Sequence, residues 1–585
     1  MRILGLSALK HDTAAAVIED GTIQAAIEND KLARSRTHGL PDAAIRACLE
    51  RVGAGWDGID TVAVATCPLQ SFARKSLLRA KLSVRTPISS IYYEAKEIGL
   101  LARELNEQRT LRQRGNGAHQ KVVCFDHHLC HAANGFFLSP FDRALIITMD
   151  EDGDGISATV GIGEGNRIRG VRAMAFPHSL AWVYSLTTAL IGFTPHQDEH
   201  KTQWLSLAGE PAHKDVFLEM FRQPRTQELR LNRRFFNRRL AGRLAFSAEF
   251  YRSVGLTEGS RDIPEDVRRN LASSVQQACT EILIELVAHL RETLAVKSVC
   301  LSGGLFLNSL LVTALEDRFG IDQIFVPPAP GNAGSAVGAA CLVWHHLLHK
   351  PRSEPPCSVM WGPKFSHQEV KGVLDNCKAR YSLHNTEQRK IDATLELLES
   401  GKVVGWYQGA SEFGPRSLGN RSVLASPWAP YVRENLNDFI KHREWFRPFA
   451  VAIPEEDCAR FFTASGSCRF MNSLARVKPD SNPLPQSFWL PGGLLRLHVV
   501  ERRSNPLFWN LLKRFGEHAP APMLLNTSFN LFGEPLVLTA RDALRSYFCS
   551  GLDALIIDNF LLTKANTHGQ FSTRALNEKR VPLGA

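Results

Sequence analysis

An α/β architecture in at least two domains is predicted for this chain, and three observations predict it. The opening reads strand, turn, strand, strand: residues 3–8 are apolar, 13–18 are apolar and small, Asp20-Gly21 is a hairpin signal, and 22–28 alternate. An apolar run at 143–149 reads as a buried strand ending in the carboxylate string Asp150-Glu151-Asp152-Gly153-Asp154-Gly155. Two glycine-rich turns, Ser302-Gly303-Gly304 and Pro330-Gly331-Asn332-Ala333-Gly334-Ser335, sit where backbone amides can approach a phosphate. Together these suit an ATP cleft of the kind found in actin, Hsp70 and sugar kinases. The 585 residues are too many for one core. The best linker candidate is Lys350-Pro351-Arg352-Ser353-Glu354-Pro355-Pro356, so 1–350 and 351–585 are the expected domains.

Composition narrows the class. At 44% hydrophobic and 22% charged the chain reads as an ordinary globular protein, and no apolar run is long enough to span a membrane. The first residues lack a signal-peptide core and read as a first strand. Twelve scattered cysteines without a CxxC pair point to a reducing cytoplasm. The net charge of +10 comes partly from Arg74–Lys81 and from the stretch 222–243, which contains Arg233-Arg234-Phe235-Phe236-Asn237-Arg238-Arg239. Such runs are either solvated faces with snorkelling arginines or anionic-surface binders. No recognition module surrounds them, so nucleic acid is not the expected partner, whereas small anionic substrates are.

The elements follow in order. His11-Asp12 falls on the turn between the first two strands, at a sheet edge where nucleotide-binding folds place phosphate and metal groups. Arg34, Arg36 and His38 occupy a loop before Pro41, which opens a helix, and 60–67 is another strand. Next comes Asp126-His127-His128-Leu129-Cys130-His131-Ala132-Ala133. On a helix, His127 and His131 share a face one turn apart, with His128 turned elsewhere. With Asp150 at the strand end they could hold a divalent cation; otherwise they are capping and core residues. The Asp150–Gly155 string resembles a calcium loop, but its twelfth position is Gly161 and no helices flank it, so that reading is rejected. A helix over about 268–294 feeds the strand before Gly303. Beyond the linker come Phe413-Gly414-Pro415-Arg416-Ser417-Leu418-Gly419-Asn420-Arg421-Ser422, Arg443-Glu444-Trp445-Phe446-Arg447, Arg496 and Asn526-Thr527-Ser528-Phe529-Asn530. Arginines beside Gly, Pro and Ser in loops suit planar recognition of phosphate or carboxylate.

These strings carry a resemblance. His11–Ala15, Asp126–Ala133, Asp150–Gly155, Ser302–Asn308, Gly331–Ala340, Phe413–Pro427, Glu444–Phe449, Asn526–Asn530 and Gly533-Glu534-Pro535 together resemble the O-carbamoyltransferases of antibiotic tailoring and nodulation-factor modification, in family order over nearly the whole chain. The resemblance implies an actin-like (ASKHA) N-terminal domain similar to the tRNA threonylcarbamoyl-transfer subunit, and a C-terminal α/β domain like threonylcarbamoyl-adenylate synthase. It implies that the C-terminal domain makes carbamoyl adenylate from carbamoyl phosphate and ATP. Arg416, Arg447, Arg496, Asn526 and Ser528 would hold phosphates and carbamoyl group, with Met471 lining the pocket. Arg36, Gly303, Gly304, Asn308 and Gly331 would serve the nucleotide side. In the N-terminal cleft a divalent metal, Fe2+ favoured over Zn2+ or Mn2+, would sit on His127, His131, Asp150 and Asn332 and grip the adenylate phosphate. A hydroxyl of a small-molecule acceptor would attack the carbamoyl carbon, with His11 as general base. A homodimer is compatible with this reading.

This sequence departs from the family at three places. Asn332 stands where an aspartate is usual, so a ligand there brings no charge. Gln203-Trp204-Leu205-Ser206-Leu207-Ala208 replaces the usual Met-Gly-Leu-Ala, and Pro491-Gly492-Gly493 stands where an acidic residue is common. Two other functions stay open: a tRNA threonylcarbamoyl transferase, and a nucleotide-dependent binding protein that does no chemistry. The Phe413–Pro427 string favours the carbamoyl branch, and a pure binding protein leaves the arginine-rich half without a task.

Overall fold

The computed structural model describes residues 1–8, 12–82, 87–114, 121–222, 229–240, 243–260, 262–481, 483–531 and 533–564. His11, parts of the basic stretch 222–243 and residues 565–585 lie outside the described residues.

Strands β1 (Arg2–Ser7), β2 (Ala14–Glu19) and β3 (Thr22–Glu28) form an antiparallel meander, joined in parallel by β4 (Thr61–Val64) and β5 (Val122–Cys124) in the order β3-β2-β1-β4-β5. The second sheet repeats that plan. Its meander is β6 (Arg143–Gly153), β7 (Ile156–Glu164) and β8 (Arg167–Ala175), and β9 (Val299–Ser302) and β10 (Ile324–Phe325) join in parallel to give β10-β9-β6-β7-β8. This doubled plan is the actin-like architecture expected from the opening hairpin and the acidic strand end.

Helix α1 (His127–Phe137) packs on β6 and β9, and α2 (Glu265–Leu294) covers the second sheet. Helix α3 is Ser309–Phe319, and α4 (Gly334–Cys341) lies against both α1 and β1. Small residues make that crossing possible: a Cβ on Gly338 would stand 1.9 Å from the Cys130 carbonyl oxygen. The C-terminal end of α1 is closed by Arg352, which donates to Phe136 O at 2.9 Å and Ser139 O at 2.6 Å and stacks over the Phe136 ring. A guanidinium there satisfies carbonyls that the helix leaves unpaired and opposes the negative end of its dipole. The linker candidate is thus irregular chain pinned to the metal-candidate helix.

A third, mixed sheet of eight strands comprises β11 (Ser382–Leu383), β12 (Val404–Tyr407), β13 (Arg421–Ala425), β14 (Ala450–Pro454), β15 (Leu497–Val500), β16 (Leu524–Ser528), β17 (Ala554–Ile557) and β18 (Phe560–Thr563). Its order is β11-β18-β17-β12-β13-β16-β14-β15. One face packs Tyr407, Val423, Val451 and Leu525; the other packs Trp406, Leu424, Ala452 and Leu524, as period-2 alternation requires. Ile3, Ala133 and Val337 share a buried cluster with Phe413, Leu418 and Met471, so apolar contact is continuous between the actin-like part and the loops around the third sheet.

In the described part of the basic stretch, Phe235 and Phe236 are core residues, while exposed Arg234 pairs with Glu219 and Glu249. That is the solvated-face arrangement. Among the described residues no helix is long and apolar enough to cross a membrane.

Candidate active site

Asp126 ends the β5–α1 connection and caps the helix, accepting the N–H groups of His128 and Leu129 at 3.0 and 3.4 Å. The cap fixes the first turn, and the i,i+4 spacing then brings His127 Nε2 and His131 Nε2 to 3.0 Å from one another. Asp150 Oδ2 lies 3.4 Å from the first and 3.3 Å from the second. These three side chains form a compact N,N,O group of possible metal ligands. Ligand atoms each about 2.1 Å from one cation are themselves about 3.0–3.4 Å apart, so the spacing fits a divalent ion. His128 turns away, as expected, and bonds Thr148 Oγ1 at 2.7 Å and Ile156 O at 3.0 Å. Burial pushes the His131 imidazole below its usual range and that of His128 down to about 4. Burial would raise the Asp150 carboxyl, but its hydrogen bonds with His127 and His131 outweigh this and hold it well below the usual range. A neutral His131 imidazole beside an ionised Asp150 carboxylate is the ligand form a metal needs.

Asn332 neighbours His131 and acts on its imidazole. An amide oxygen suits a hard cation but adds no charge. Asn332→Asp is therefore expected to tighten divalent-metal binding, on the order of tenfold, read as metal retained after dialysis against graded chelator.

Of the glycines in the two turns, Gly303 has a packing job. The Gly303 N–H bonds Pro330 O at 2.7 Å rather than standing free for a phosphate, and a Cβ there would fall 2.1 Å from Met149 O. Gly303 lets the two turns cross β6 closely, and Gly304 faces Asp150 Oδ1. Gly331 lies against Leu307. Asn308 caps α3 and bonds Gln276, so its amide is occupied within the fold. Arg36 donates to Asp12 Oδ1 at 3.3 Å and to His196 O at 2.6 Å, and His196 in turn pairs with Glu151 at 2.7 Å, next to Asp150.

A second centre forms where the loops of the third sheet meet residues 198–204. Arg416, Arg443, Arg447 and Arg496 converge there with Lys441. Burial, then Arg447, lowers Arg416 to about 10 and Arg443 to about 9. Burial and the other three guanidiniums push Arg496 well below its usual range. Burial, Arg443 and Arg447 do the same to Lys441. Guanidiniums stay protonated in proteins, so these shifts mean buried, desolvated cations that also repel one another, both of which an anion would offset. Two carboxylates border the cluster: Glu444, 3.6 Å from Arg447 and 2.9 Å from Lys201, and Asp198, 3.2 Å from Lys201. Among the described residues, Arg416 Nε and Arg496 Nε are buried donors with no hydrogen-bond partner; the neutral His200 ring donates its Nδ1–H to Gln197 O at 3.0 Å, so its own unpartnered Nε2 is an acceptor. Donors left open beside excess positive charge define a site for a polyanion.

The remaining expected residues support this centre. Lys441 Nζ donates to Ser528 O at 2.7 Å and to Asn530 Oδ1 at 2.6 Å. Asn526 is buried and brackets Ser417, donating to its carbonyl at 3.2 Å and accepting from its hydroxyl at 3.3 Å. Met471 is 3% exposed, with left-handed backbone, inside the shared apolar cluster. Trp204, from the segment that departs from the family, lies under Arg496 with its ring 5.6 Å from the guanidinium carbon.

Buried His498 accepts from Asn526 and, with its charged form disfavoured by burial, is pushed down to about 3. Burial, then Arg447 and Arg416, lower His200 to about 3. A histidine whose folded pKa lies below its unfolded value stabilises fully above about pH 6.5, and that contribution is lost as pH falls. The chain is expected to lose up to ~1.4 kcal/mol per pH unit per such histidine below about pH 6. In melts between pH 7 and 5, His498→Gln should show a shallower slope than wild type.

Comparison with known proteins gives the family. Residues 2–341 match the family model for the carbamoyltransferase N-terminus and residues 395–564 that for the carbamoyltransferase C-terminus. The chain belongs to the carbamoyltransferase family and is an enzyme of that class. It is 32% identical to nodulation protein NolNO of Sinorhizobium fredii, covering 95% of this chain and 79% of that protein. It is 31% identical to the uncharacterized protein sll1178 of Synechocystis sp., covering 96% of each. Among solved structures, full-length HypF in its phosphate- and nucleotide-bound form aligns over 58% of this chain and 46% of that one, at 12% identity and a TM-score of 0.31.

Proposed function

We propose that this chain is an ATP-dependent O-carbamoyltransferase with two centres. Residues 351–585 form the adenylate, and residues 1–350 transfer its carbamoyl group to a hydroxyl of a small-molecule acceptor. The observation that carries this reading is the cluster of Arg416, Arg443, Arg447 and Arg496, with the Nε groups of Arg416 and Arg496 unpartnered, a candidate polyanion site that shares no side chain with the His127–His131–Asp150 triad.

In this reading the four guanidiniums gather carbamoyl phosphate and the ATP phosphates and offset their mutual repulsion. Water converts carbamoyl phosphate to carbamate and phosphate. A carbamate oxygen then bonds to the ATP α-phosphorus, and pyrophosphate leaves with the electron pair of the broken P–O bond. The mixed anhydride moves to the triad within protein walls that keep water from it. There the acceptor oxygen bonds to the carbamoyl carbon, AMP leaves, and His11 takes the hydroxyl proton. Arg36, held by Asp12 and His196 O, shapes the wall beside that step. A divalent cation, Fe2+ favoured, would be held by His127, His131, Asp150 and Asn332, and when bound it neutralises phosphate charge and makes AMP a better leaving group.

The test is mass spectrometry for a carbamoyl gain across a panel of hydroxylated metabolites, given carbamoyl phosphate and ATP. Turnover that requires threonine and bicarbonate instead would place the chain in the tRNA-modifying branch.

A further inference from the structure

The loop that carries Arg416 is held in place by the actin-like part of the chain. Glu28 is the last residue of β3 and pairs in register with Ala14, and the next residue, Asn29, donates its N–H to Thr13 O at 2.8 Å. This sheet end therefore adjoins the turn that bears Asp12. Lys31 is buried there, 2.9 Å from Glu28 Oε2. Its ammonium does not stop at that ion pair: it donates to Glu412 O at 2.8 Å and to Gly414 O at 2.9 Å. Glu28 Oε1 accepts the Gly414 N–H at 2.8 Å. Two residues on from Gly414 is Arg416.

The other side of the loop is braced from within. The fully buried Glu412 carboxylate accepts three backbone N–H groups, from Leu418, Asn420 and Arg421, each at 2.9 Å. The loop is thus a closed turn around one carboxylate, and Lys31 and Glu28 fix where that turn sits. The same segment sends Arg34 to Leu536 O at 2.6 Å and to Glu534 at 3.2 Å, beside the strand end that carries Ser528. A charged-group hydrogen bond is strong and directional when buried, and a displacement of about 1 Å at a binding group is costly.

We propose that Lys31, with Glu28, is a positioning residue for the polyanion site. It touches no substrate; it references the Arg416 loop to the hairpin of the transfer centre, so that the two centres keep a fixed separation. This inference rests on the reading of the arginine cluster as a polyanion site.

The test uses the full-length protein and inorganic pyrophosphate as probe, with affinity read by calorimetry and folding by thermal melt. Lys31→Met is expected to weaken pyrophosphate binding at least tenfold and to lower the melting temperature, because it leaves Glu28 buried without its cation. The double variant Glu28→Gln/Lys31→Met matches the charges again and keeps an acceptor for Gly414 N–H. It is expected to recover the melting temperature but not the affinity, since the two carbonyl ties stay broken. Metal content should match wild type in both. Affinity that stays at the wild-type value, or that returns together with the melting temperature, overturns the positioning role. If the wild-type chain binds no pyrophosphate, the polyanion reading itself fails and takes this inference with it.

Discussion

His127→Ala is expected to stop carbamoyl transfer while carbamoyl-phosphate-dependent pyrophosphate release continues. The imidazole contributes one of two nitrogens in the N,N,O group, and His131 with Asp150 alone offers only two of its three atoms. Losing a bound cation at a leaving phosphate removes several kcal/mol, so transfer should fall by roughly 10³-fold or more. The backbone effect should be small. The His127 N–H that bonds Asp154 at 3.3 Å remains, and the Asp126 cap is untouched. The polyanion site draws no side chain from α1. Carbamoyl adenylate should therefore accumulate, and mass spectrometry of quenched reactions would show it. Normal transfer by this variant would remove the metal centre from the account.

Arg496→Met is expected to have an effect of similar size on the other reaction, with an unusual sign for stability. Arg496 carries an unpartnered buried Nε and is crowded by Arg416, Arg443 and Arg447. Its loss removes a charge-assisted, bidentate-capable partner for phosphate, so kcat/KM for pyrophosphate release should fall about 10²- to 10³-fold. Arg496→Lys should rescue little, because a point charge lacks the planar fork. The same change relieves repulsion among buried cations, and methionine can still cover Trp204. The anion-free variant should thus melt at or above the wild-type temperature, as expected for a site that trades stability for binding. A variant that loses both activity and several degrees of melting temperature would indicate that Arg496 holds the fold together.

Much of this was readable from local pattern. The opening hairpin at Asp20-Gly21, the strand ending near Asp150 and the His127–His131 face all depend on periods of two or about four residues, which a linear chain displays directly. Strand β6 runs on to Gly153 through a bulge after Met149, a detail set by pairing with β7 that periodicity does not show. The roles of single glycines and amides were harder to see. Gly303 looked like a phosphate turn and instead lets β6 pass, because its N–H meets Pro330 O across a long sequence gap. Asn308 and Asn526 looked like ligand groups and are occupied inside the fold, capping α3 and bracketing Ser417. Lys31, Glu412 and Lys441 gave no signal of their own, since a lysine or glutamate in a loop looks solvated until the chain folds back over it. Arg443 and Glu444 were visible only as neighbours of Arg447.

The division into two centres predicts which phosphate bond of ATP is broken, and phosphorus NMR of the reaction mixture reads it directly. With carbamoyl phosphate and ATP, the spectrum should show AMP, pyrophosphate and phosphate appearing together, and no ATP consumption when carbamoyl phosphate is left out. ADP as the nucleotide product, or AMP formed at the same rate without carbamoyl phosphate, would contradict the account.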